Sequence, residues 1–193
     1  FLPFVLEDLE DAVAVVAVLC LVINAAIFFQ LRQHVQRSRV LPMILGALIG
    51  VPLGSLALQT IPAQYLKVGL GTVILWYSAQ SLLSSGSGRR LISDRWGFPF
   101  GLAGGALGGA FNTGGPPAVI YVTLKDWNKD QVKATLQAFL LSISLTQLPV
   151  YIAAGILRTE HLLLDAVALP ALGLGLWIGT LVYDRIDTEA FRR

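Results

Sequence analysis

Residues 97–124 form one uncharged apolar stretch, GFPFGLAGGALGGAFNTGGPPAVIYVTL, that is long enough to cross a bilayer. Its middle opposes a continuous helix, because Gly114 and Gly115 weaken helical structure and Pro116 and Pro117 remove two backbone donors. Irregular backbone at membrane depth is tolerated only where it is buried in protein or lines a cavity. The stretch therefore predicts a substrate site at the point where a membrane segment stops being helical.

The composition of the chain is that of an integral membrane protein. Apolar residues make up 55% of the 193 residues and charged residues 13%, and the mean hydropathy is +0.69, whereas a soluble domain carries about 25% charge. A single cysteine, Cys20, provides neither a disulfide framework nor a cysteine-based metal site. Six apolar runs are each long enough to span the bilayer: 12–29, 40–58, 68–85, 97–124, 134–157 and 166–183.

These apolar runs leave no room for a soluble module. We therefore expect one transmembrane domain over residues 1–193, with several passes through the cell membrane, the inner membrane of a bacterium or archaeon. The expected partners are the lipid bilayer and a small anionic substrate. No cofactor, no metal and no nucleic-acid partner is expected.

The distribution of positive charge distinguishes two topologies. If residues 97–124 cross the membrane once, the short loops place seven Lys and Arg residues on each side. If the stretch instead enters and returns as a re-entrant hairpin broken at 112–117, twelve lie on the cytoplasmic side and two outside. The positive-inside rule strongly favours the hairpin. Its halves would be about 14 and 8 residues long, or about 21 and 12 Å of helix.

Two similarities within the sequence indicate an internal repeat. The pattern LGxxIG occurs at 45–50 and again at 174–179, in helices that each follow a proline. Residues 1–6 also look like the end of the hairpin at 117–122. Each repeat would be a Gly/Pro-rich hairpin followed by three spans, and an odd number of spans makes the second repeat inverted relative to the first.

The predicted fold class is therefore all-α: a polytopic membrane protein with inverted repeats, each a broken or re-entrant helical hairpin followed by three transmembrane helices. The first repeat would occupy residues 1–85 and the second residues 97–193. The first hairpin and the last helix of this pattern are missing, so we expect the sequence to be a piece of a longer chain. The predicted spans of the two repeats are 12–31, 40–58, 64–84, 134–157 and 163–183.

The chemistry expected at the break is that of a neutral anion site. No Lys or Arg lies in the middle of a predicted span, so neutral donors must hold the anion. The second half-helix should begin near Pro116 and Pro117, and its N-terminus offers free N–H groups, the first from Ala118, with about +0.5 charge. Glycines at the break would let a ligand approach the backbone closely. The candidate binding residues here are Asn112, Thr113, Gly114, Gly115, Pro116, Ala118 and Tyr121.

Three amide side chains in the predicted spans are weaker candidates for binding. Asn24, Gln137 and Gln147 lie in the spans that follow the two hairpins, and Gln137 and Gln147 share roughly one helix face with Ser144. Interhelical hydrogen bonding is the alternative role for these residues. Close helix packing is likewise the alternative for the glycines at 101–109 and for those of the two LGxxIG patterns.

The residues around the break resemble a known family. The run GGAFNTGGPP at 108–117, followed by Tyr121 and Trp127, is similar to the second Gly-rich motif of the sulfite exporter TauE/SafE family. The sequence Gln-Ala-Phe at 137–139 and the LGALIGVPLGS helix at 45–55 are also typical of that family. The resemblance covers essentially the whole chain, although the family's first Gly-rich motif is absent. It implies an integral membrane transporter of small sulfur-containing anions, such as sulfite or organosulfonates, and often an exporter.

The leading interpretation is a secondary transporter that exports a small sulfur-containing anion by alternating access around Gly-rich helix breaks. A passive anion channel or a structural membrane subunit is the alternative, although no pore-lining basic ring is visible. An enzyme is not expected, because the chain has no HExxH motif, no GxSxG motif and no carboxylate dyad. A coupling proton and a homodimer are both left open. No carboxylate lies at the centre of a predicted span.

Overall fold

The architecture is all-helical throughout the part of the chain that the structure, a computed structural model, describes. That part comprises residues 9–62, 64–65, 68–69, 71–72, 75, 79, 92–125, 127, 129–157 and 166–175. It contains no strand, and the all-α class is confirmed to this extent. The helices are α1 (Leu9–Leu31), α2 (Arg37–Thr60), α3 (Gly97–Phe111), α4 (Gly115–Thr123), α5 (Lys129–Ala153) and the short apolar helix α6 (Ala166–Gly175).

Three of these helices are long and apolar enough to cross a membrane, which is consistent with a multi-pass membrane protein. Their apolar windows coincide with the predicted runs at 12–29, 40–58 and 134–157. The third ends early, at Ala153, because Gly155 adopts a left-handed φ of 71° and caps the helix. The windows are Ala12–Leu31, Ser38–Thr60 and Asp130–Ala153. The predicted span at 68–85 and most of that at 166–183 lie outside the described residues.

The pair α2 and α3 shows the most extensive helix contact in the described part of the chain, and glycines on both helices make it. A Cβ added at Gly105 of α3 would lie 2.7 Å from the Cα of Ala47 and 2.9 Å from its carbonyl oxygen. On α2, a Cβ at Gly50 would overlap the backbone of α3 at Leu102 in the same way. Backbone thus packs directly on backbone, and the packing role for these glycines is confirmed. The interlocking glycines are Gly46, Gly50 and Gly54 of α2 with Gly101, Gly105 and Gly109 of α3.

The short helix α4 packs against α3 and α5. Its inward residues belong to one buried apolar cluster that also takes side chains from α2 and α5, whereas a second cluster joins α1 to the far ends of α2 and α5. The first cluster consists of Val40, Met43, Ala47, Val51, Ala118, Tyr121, Val122, Ala138, Phe139 and Ile143. Five of the nine residues of α4 are buried, which explains why so short a helix is mostly apolar.

The chain folds back on itself between α3 and α4. Lys125, which follows α4, donates to the carbonyl oxygen of Ile92 at 2.7 Å and pairs with the carboxylate of Asp94 at 2.5 Å. Because residues 92 and 94 precede α3, both ends of the helix pair lie together. The two arms are 15 and 9 residues long and are separated at 112–114, close to the predicted lengths and within the predicted break.

The repeat organisation stays a prediction. Residues 1–8, which carry the similarity to the end of the hairpin, lie outside the described residues, and so do residues 176–179 of the second LGxxIG pattern. The domain ranges 1–85 and 97–193 are untested for the same reason.

Candidate functional site

The first arm of the hairpin, α3, ends at Asn112, whose backbone is in the left-handed conformation. Asn112 has a φ of 56°, and it is the one non-glycine residue with a positive φ among the described residues. Its N–H donates to the carbonyl oxygen of Gly108 at 2.8 Å, which closes the last turn of α3. Asn tolerates this left-handed geometry better than most residues. A single local feature therefore stops α3 in the interior of the bundle.

The second arm begins with two free backbone donors. Gly114 is the N-cap of α4, no side chain caps the helix, and Pro116 and Pro117 stand in its first turn. Since prolines carry no N–H, the unpaired donors of the first turn are those of Gly114 and Gly115. The sequence predicts Ala118 as the first free donor. Because α4 begins at Gly115, earlier than predicted, Ala118 is four residues after the N-cap, where the N–H of a helix bonds to the N-cap carbonyl.

The two glycines at the start of α4 have different surroundings. A Cβ added at Gly114 would lie 2.5 Å from Cδ1 of Ile143 and 2.8 Å from the carbonyl oxygen of Gly104, so Gly114 is packed against protein. A Cβ added at Gly115 would meet nothing within 4 Å. The break is therefore open on the side of Gly115, where a ligand would find both the helix N-terminus and room beside it.

The side chain of Asn112 is committed to α1 through its donor. Its Nδ2 donates to the carbonyl oxygen of Val13 at 2.7 Å, whereas its Oδ1 is buried and has no hydrogen-bond partner. The neighbouring Thr113 donates its hydroxyl to the carbonyl oxygen of Phe111 at 3.1 Å. The sequence predicts side-chain donors for an anion at these two positions. In the structure, Nδ2 of Asn112 and the hydroxyl of Thr113 each donate to a backbone carbonyl, and Oδ1 of Asn112 has no hydrogen-bond partner.

Three side chains satisfy the carbonyl groups at the end of α3. Gln147 donates to the carbonyl oxygen of Gly108 at 2.9 Å and to the hydroxyl of Tyr151 at 2.7 Å. Tyr151 in turn donates to the carbonyl oxygen of Gly109 at 2.6 Å. The hydroxyl of Ser55 on α2 lies 3.4 Å from the same oxygen and makes its shorter bond, 2.9 Å, to the carbonyl oxygen of Val51. The Gly108 carbonyl also accepts from the N–H of Asn112, so Gln147 adds a second bond there, whereas Tyr151 supplies a partner for the Gly109 carbonyl at the end of the helix.

Sequence reasoning found Gln147 but missed Tyr151 and Ser55. The signal for Tyr151 is its position four residues after Gln147, which puts both on one face of α5. Ser55 follows Gly54 directly in a helix whose glycines face α3, so its side chain also falls near that interface. A single tyrosine or serine in an apolar helix does not indicate a site unless its hydrogen-bond partner is known, so the sequence signal for Tyr151 and Ser55 was weak.

The other two predicted amides form a separate cluster between α1 and α5. Gln137 donates its Nε2 to the side-chain oxygen of Asn24 at 2.9 Å, and Asn24 donates its Nδ2 to the hydroxyl of Ser144 at 3.0 Å. Gln137 and Gln147 thus serve different partners although they share one helix face. All three amides make interhelical hydrogen bonds, and Gln147 also bonds to Tyr151 on its own helix.

Tyr121 lies at the base of the hairpin rather than at the break. It is fully buried, its ring centroid is 5.8 Å from that of Phe100 and 6.0 Å from that of Trp127, and the ammonium of Lys125 lies 5.0 Å from its centroid. The guanidinium of Arg39 lies 5.7 Å from the centroid of the Trp127 ring. These cation–π contacts close the two ends of the hairpin against the start of α2. Tyr121 is therefore a packing aromatic of the hairpin.

The site as described contains backbone donors, an amide oxygen and hydroxyl groups. Among the described residues no group of three or more His, Cys, Asp or Glu side chains is placed to hold a metal ion. The arrangement at the break can hold a small anion by hydrogen bonds and by the dipole of α4.

Comparison with known proteins gives one family match. The family model described as "Sulfite exporter TauE/SafE" matches residues 1–193. Neither a curated protein nor a solved structure matches the chain. The family is one of transporters and not of enzymes, and it implies export of a sulfite-type anion. The match covers every residue of the chain. The chain belongs to the sulfite exporter TauE/SafE family.

Proposed function

We propose that the chain is a secondary transporter that exports sulfite or a similar sulfur-containing anion by alternating access around the break between α3 and α4. The observation that carries the proposal is the uncapped start of α4, where no side chain caps the helix and the half-buried Gly115 has open space beside it, although Gly114 is packed against protein. The family supplies the class of anion, and the break supplies a place to hold it.

The strength of binding at this place suits transport. Each hydrogen bond from a backbone donor to a charged oxygen contributes about 1.5–3 kcal/mol, and the helix N-terminus adds about half a positive charge. These interactions offset much of the desolvation of a small anion. An Arg side chain at the same place would bind more tightly and slow the release that transport requires.

The hairpin is proposed to enter and leave the membrane on one side. Lys125 at its end contacts Asp94 at its start, and Arg39 at the start of α2 packs on Trp127, which follows α4. The start of α2 and both ends of the hairpin therefore lie together. This arrangement supports the topology with most positive residues on the cytoplasmic side. Inverted repeats over 1–85 and 97–193 would complete the proposed mechanism by giving two related halves that rock around the site.

Single-cysteine labelling is expected to place both ends of the hairpin on the cytoplasmic side. In a Cys20→Ala background, Arg95→Cys and Asp130→Cys should react with a membrane-impermeant maleimide from the same side of the vesicle. Thr60→Cys, at the far end of α2, is the control and should react only from the other side. All three positions are exposed, so accessibility does not bias the comparison. Labelling of Arg95→Cys and Asp130→Cys from opposite sides would rule out the hairpin.

Flux measurements are expected to identify a transporter rather than a channel. Purified full-length chain in proteoliposomes should take up labelled sulfite at a rate that saturates with concentration and that changes with an imposed pH gradient. A passive channel would instead give a rate that rises linearly with sulfite, and a structural subunit would give none above empty liposomes. Either result would contradict the proposed function.

A further inference from the structure

The base of the hairpin, where the chain enters α3 and leaves α4, is closed by side chains. The Lys125 ammonium pairs with the Asp94 carboxylate at 2.5 Å and donates to the carbonyl oxygen of Ile92 at 2.7 Å. It also lies 5.0 Å from the centroid of the fully buried Tyr121 ring. A Cβ added at Gly97, the first residue of α3, would lie 3.2 Å from the hydroxyl oxygen of Tyr121, so the two ends of the hairpin are in direct contact.

The other end of α4 is less enclosed. At the break, residues 111–113 and 115–116 are half-buried, whereas Tyr121, Val122 and Lys125 at the base are buried. An anion at the break would meet closely packed side chains in the direction of the base. The structure therefore corresponds to a state that is closed on the base side.

The contacts that hold α4 differ between its two ends. Near the break they involve backbone, because a Cβ added at Gly114 would lie 2.8 Å from the carbonyl oxygen of Gly104 in α3. At the base, the contacts described above are made by the side chains of Lys125 and Tyr121. A side-chain contact can break without distortion of a helix, whereas α2 and α3 are joined backbone to backbone and should move as one body. Movement of α4 relative to that body would therefore pivot at the break and open the base.

We propose that the ion pair between Lys125 and Asp94 locks a gate at the base of the hairpin, and this inference rests on the proposed function. When the end of α4 moves away from α3, the pair breaks and the Tyr121 ring leaves the start of α3. The break is then open toward the cytoplasmic side, as one half of an alternating-access cycle requires. With the pair formed, that side is closed.

The surroundings of the two charges suit a lock that opens and closes. The Asp94 side chain is 53% exposed, so water can replace the ammonium around its carboxylate, and ion pairs in such surroundings are weak. The Lys125 side chain is 6% exposed when paired, but its long aliphatic chain lets the ammonium extend to water once the base opens. A pair of two buried charges would resist opening much more strongly.

Labelling of a buried cysteine tests the gate directly. In a Cys20→Ala background of the full-length chain, Val122→Cys places a thiol beside Tyr121, at a position that is 1% exposed. Asp94→Asn removes the charge and keeps the size of the side chain. A membrane-impermeant maleimide is applied from the side on which Arg95 lies. We expect Asp94→Asn to raise the labelling rate of Val122→Cys by about fivefold, because the loss of such a pair shifts an opening equilibrium on that scale.

Two control variants separate a lock from a general loss of packing. Asp94→Glu keeps the charge, so Val122→Cys should label at the same rate as in the parent. Asp130→Asn makes the same chemical change at an exposed position at the start of α5 and should also leave the rate unchanged. An unchanged rate in Asp94→Asn, or an equal rise in either control, would overturn the gate.

A reversible cross-link tests whether transport requires the base to open. Asp94→Cys combined with Lys125→Cys and joined by a bifunctional thiosulfonate should lose sulfite uptake in proteoliposomes and regain it when a reductant cleaves the link. Leu45→Cys combined with Phe98→Cys is the matched control. Both side chains are exposed, and a Cβ at Gly46, next to Leu45, would overlap the backbone at Phe98. A link there joins two helices that move together, so uptake should not change.

Two kinds of failure are distinguishable. Full uptake by the cross-linked Asp94→Cys and Lys125→Cys protein would overturn the gate while the proposed function stands. Absence of sulfite uptake by the chain before any cross-link would contradict the proposed function. The labelling rates do not depend on sulfite, so they decide in either case whether the ion pair controls opening of the base.

Discussion

Gly115→Val is expected to abolish sulfite transport while the protein still folds and enters the membrane. The new side chain would occupy the open space beside the start of α4, where an added Cβ meets no protein atom within 4 Å. The same space is where an anion would approach the free N–H groups, so the valine would block the ligand without disturbing the packing. We expect transport to fall at least about 100-fold, because the loss of both bonds, at about 1.5–3 kcal/mol each, weakens binding by that much or more.

The measurement is sulfite uptake into proteoliposomes, normalised to the amount of monodisperse protein. Gly173→Val in α6 is the matched control, because an added Cβ at Gly173 also meets nothing within 4 Å and the residue is remote in sequence from the break. The control should transport like the wild type. Wild-type transport by Gly115→Val would show that the anion does not bind at the start of α4.

Gly105→Val is expected to prevent the protein from folding, in contrast to Gly115→Val. Gly105 faces the backbone of α2, and a Cβ there would lie 2.7 Å from the Cα of Ala47 and 2.9 Å from its carbonyl oxygen. These atoms are rigid, so α2 and α3 would have to separate along their most extensive contact. Overpacking costs about 1–3 kcal/mol even where side chains can adjust, and here they cannot.

The yield of monodisperse protein in detergent, measured by size-exclusion chromatography, tests this expectation. We expect Gly105→Val to aggregate or to be degraded. Gly175→Val in α6, where an added Cβ has open space, should behave like the wild type. A normal yield of folded Gly105→Val would mean that α2 and α3 do not depend on direct backbone contact.

The sequence determined the positions of the helices and of the break through local chemistry. Glycine and proline act on the backbone of their own turn, so the stretch at 112–117 stops a helix whatever surrounds it. The length of an apolar run likewise bounds a span before any partner is known, as it did for α1, α2 and α5. The start of α4 at Gly115 is slightly earlier than the predicted start near Pro116 and Pro117, because Gly114 is the N-cap.

The tertiary structure alone decided which polar atoms remain available at the break. Helical periodicity identifies a face, as it did for Gln137 and Gln147, but not the atoms that lie opposite it. Gln147 donates to the Gly108 carbonyl near the end of α3, 39 residues away in sequence, and Asn112 donates to the Val13 carbonyl in α1, 99 residues away. The same packing set Gly114 against Ile143 and left Gly115 open. Each of these outcomes depends on a helix distant in sequence, because a hydrogen bond or a steric contact requires the position of both partners.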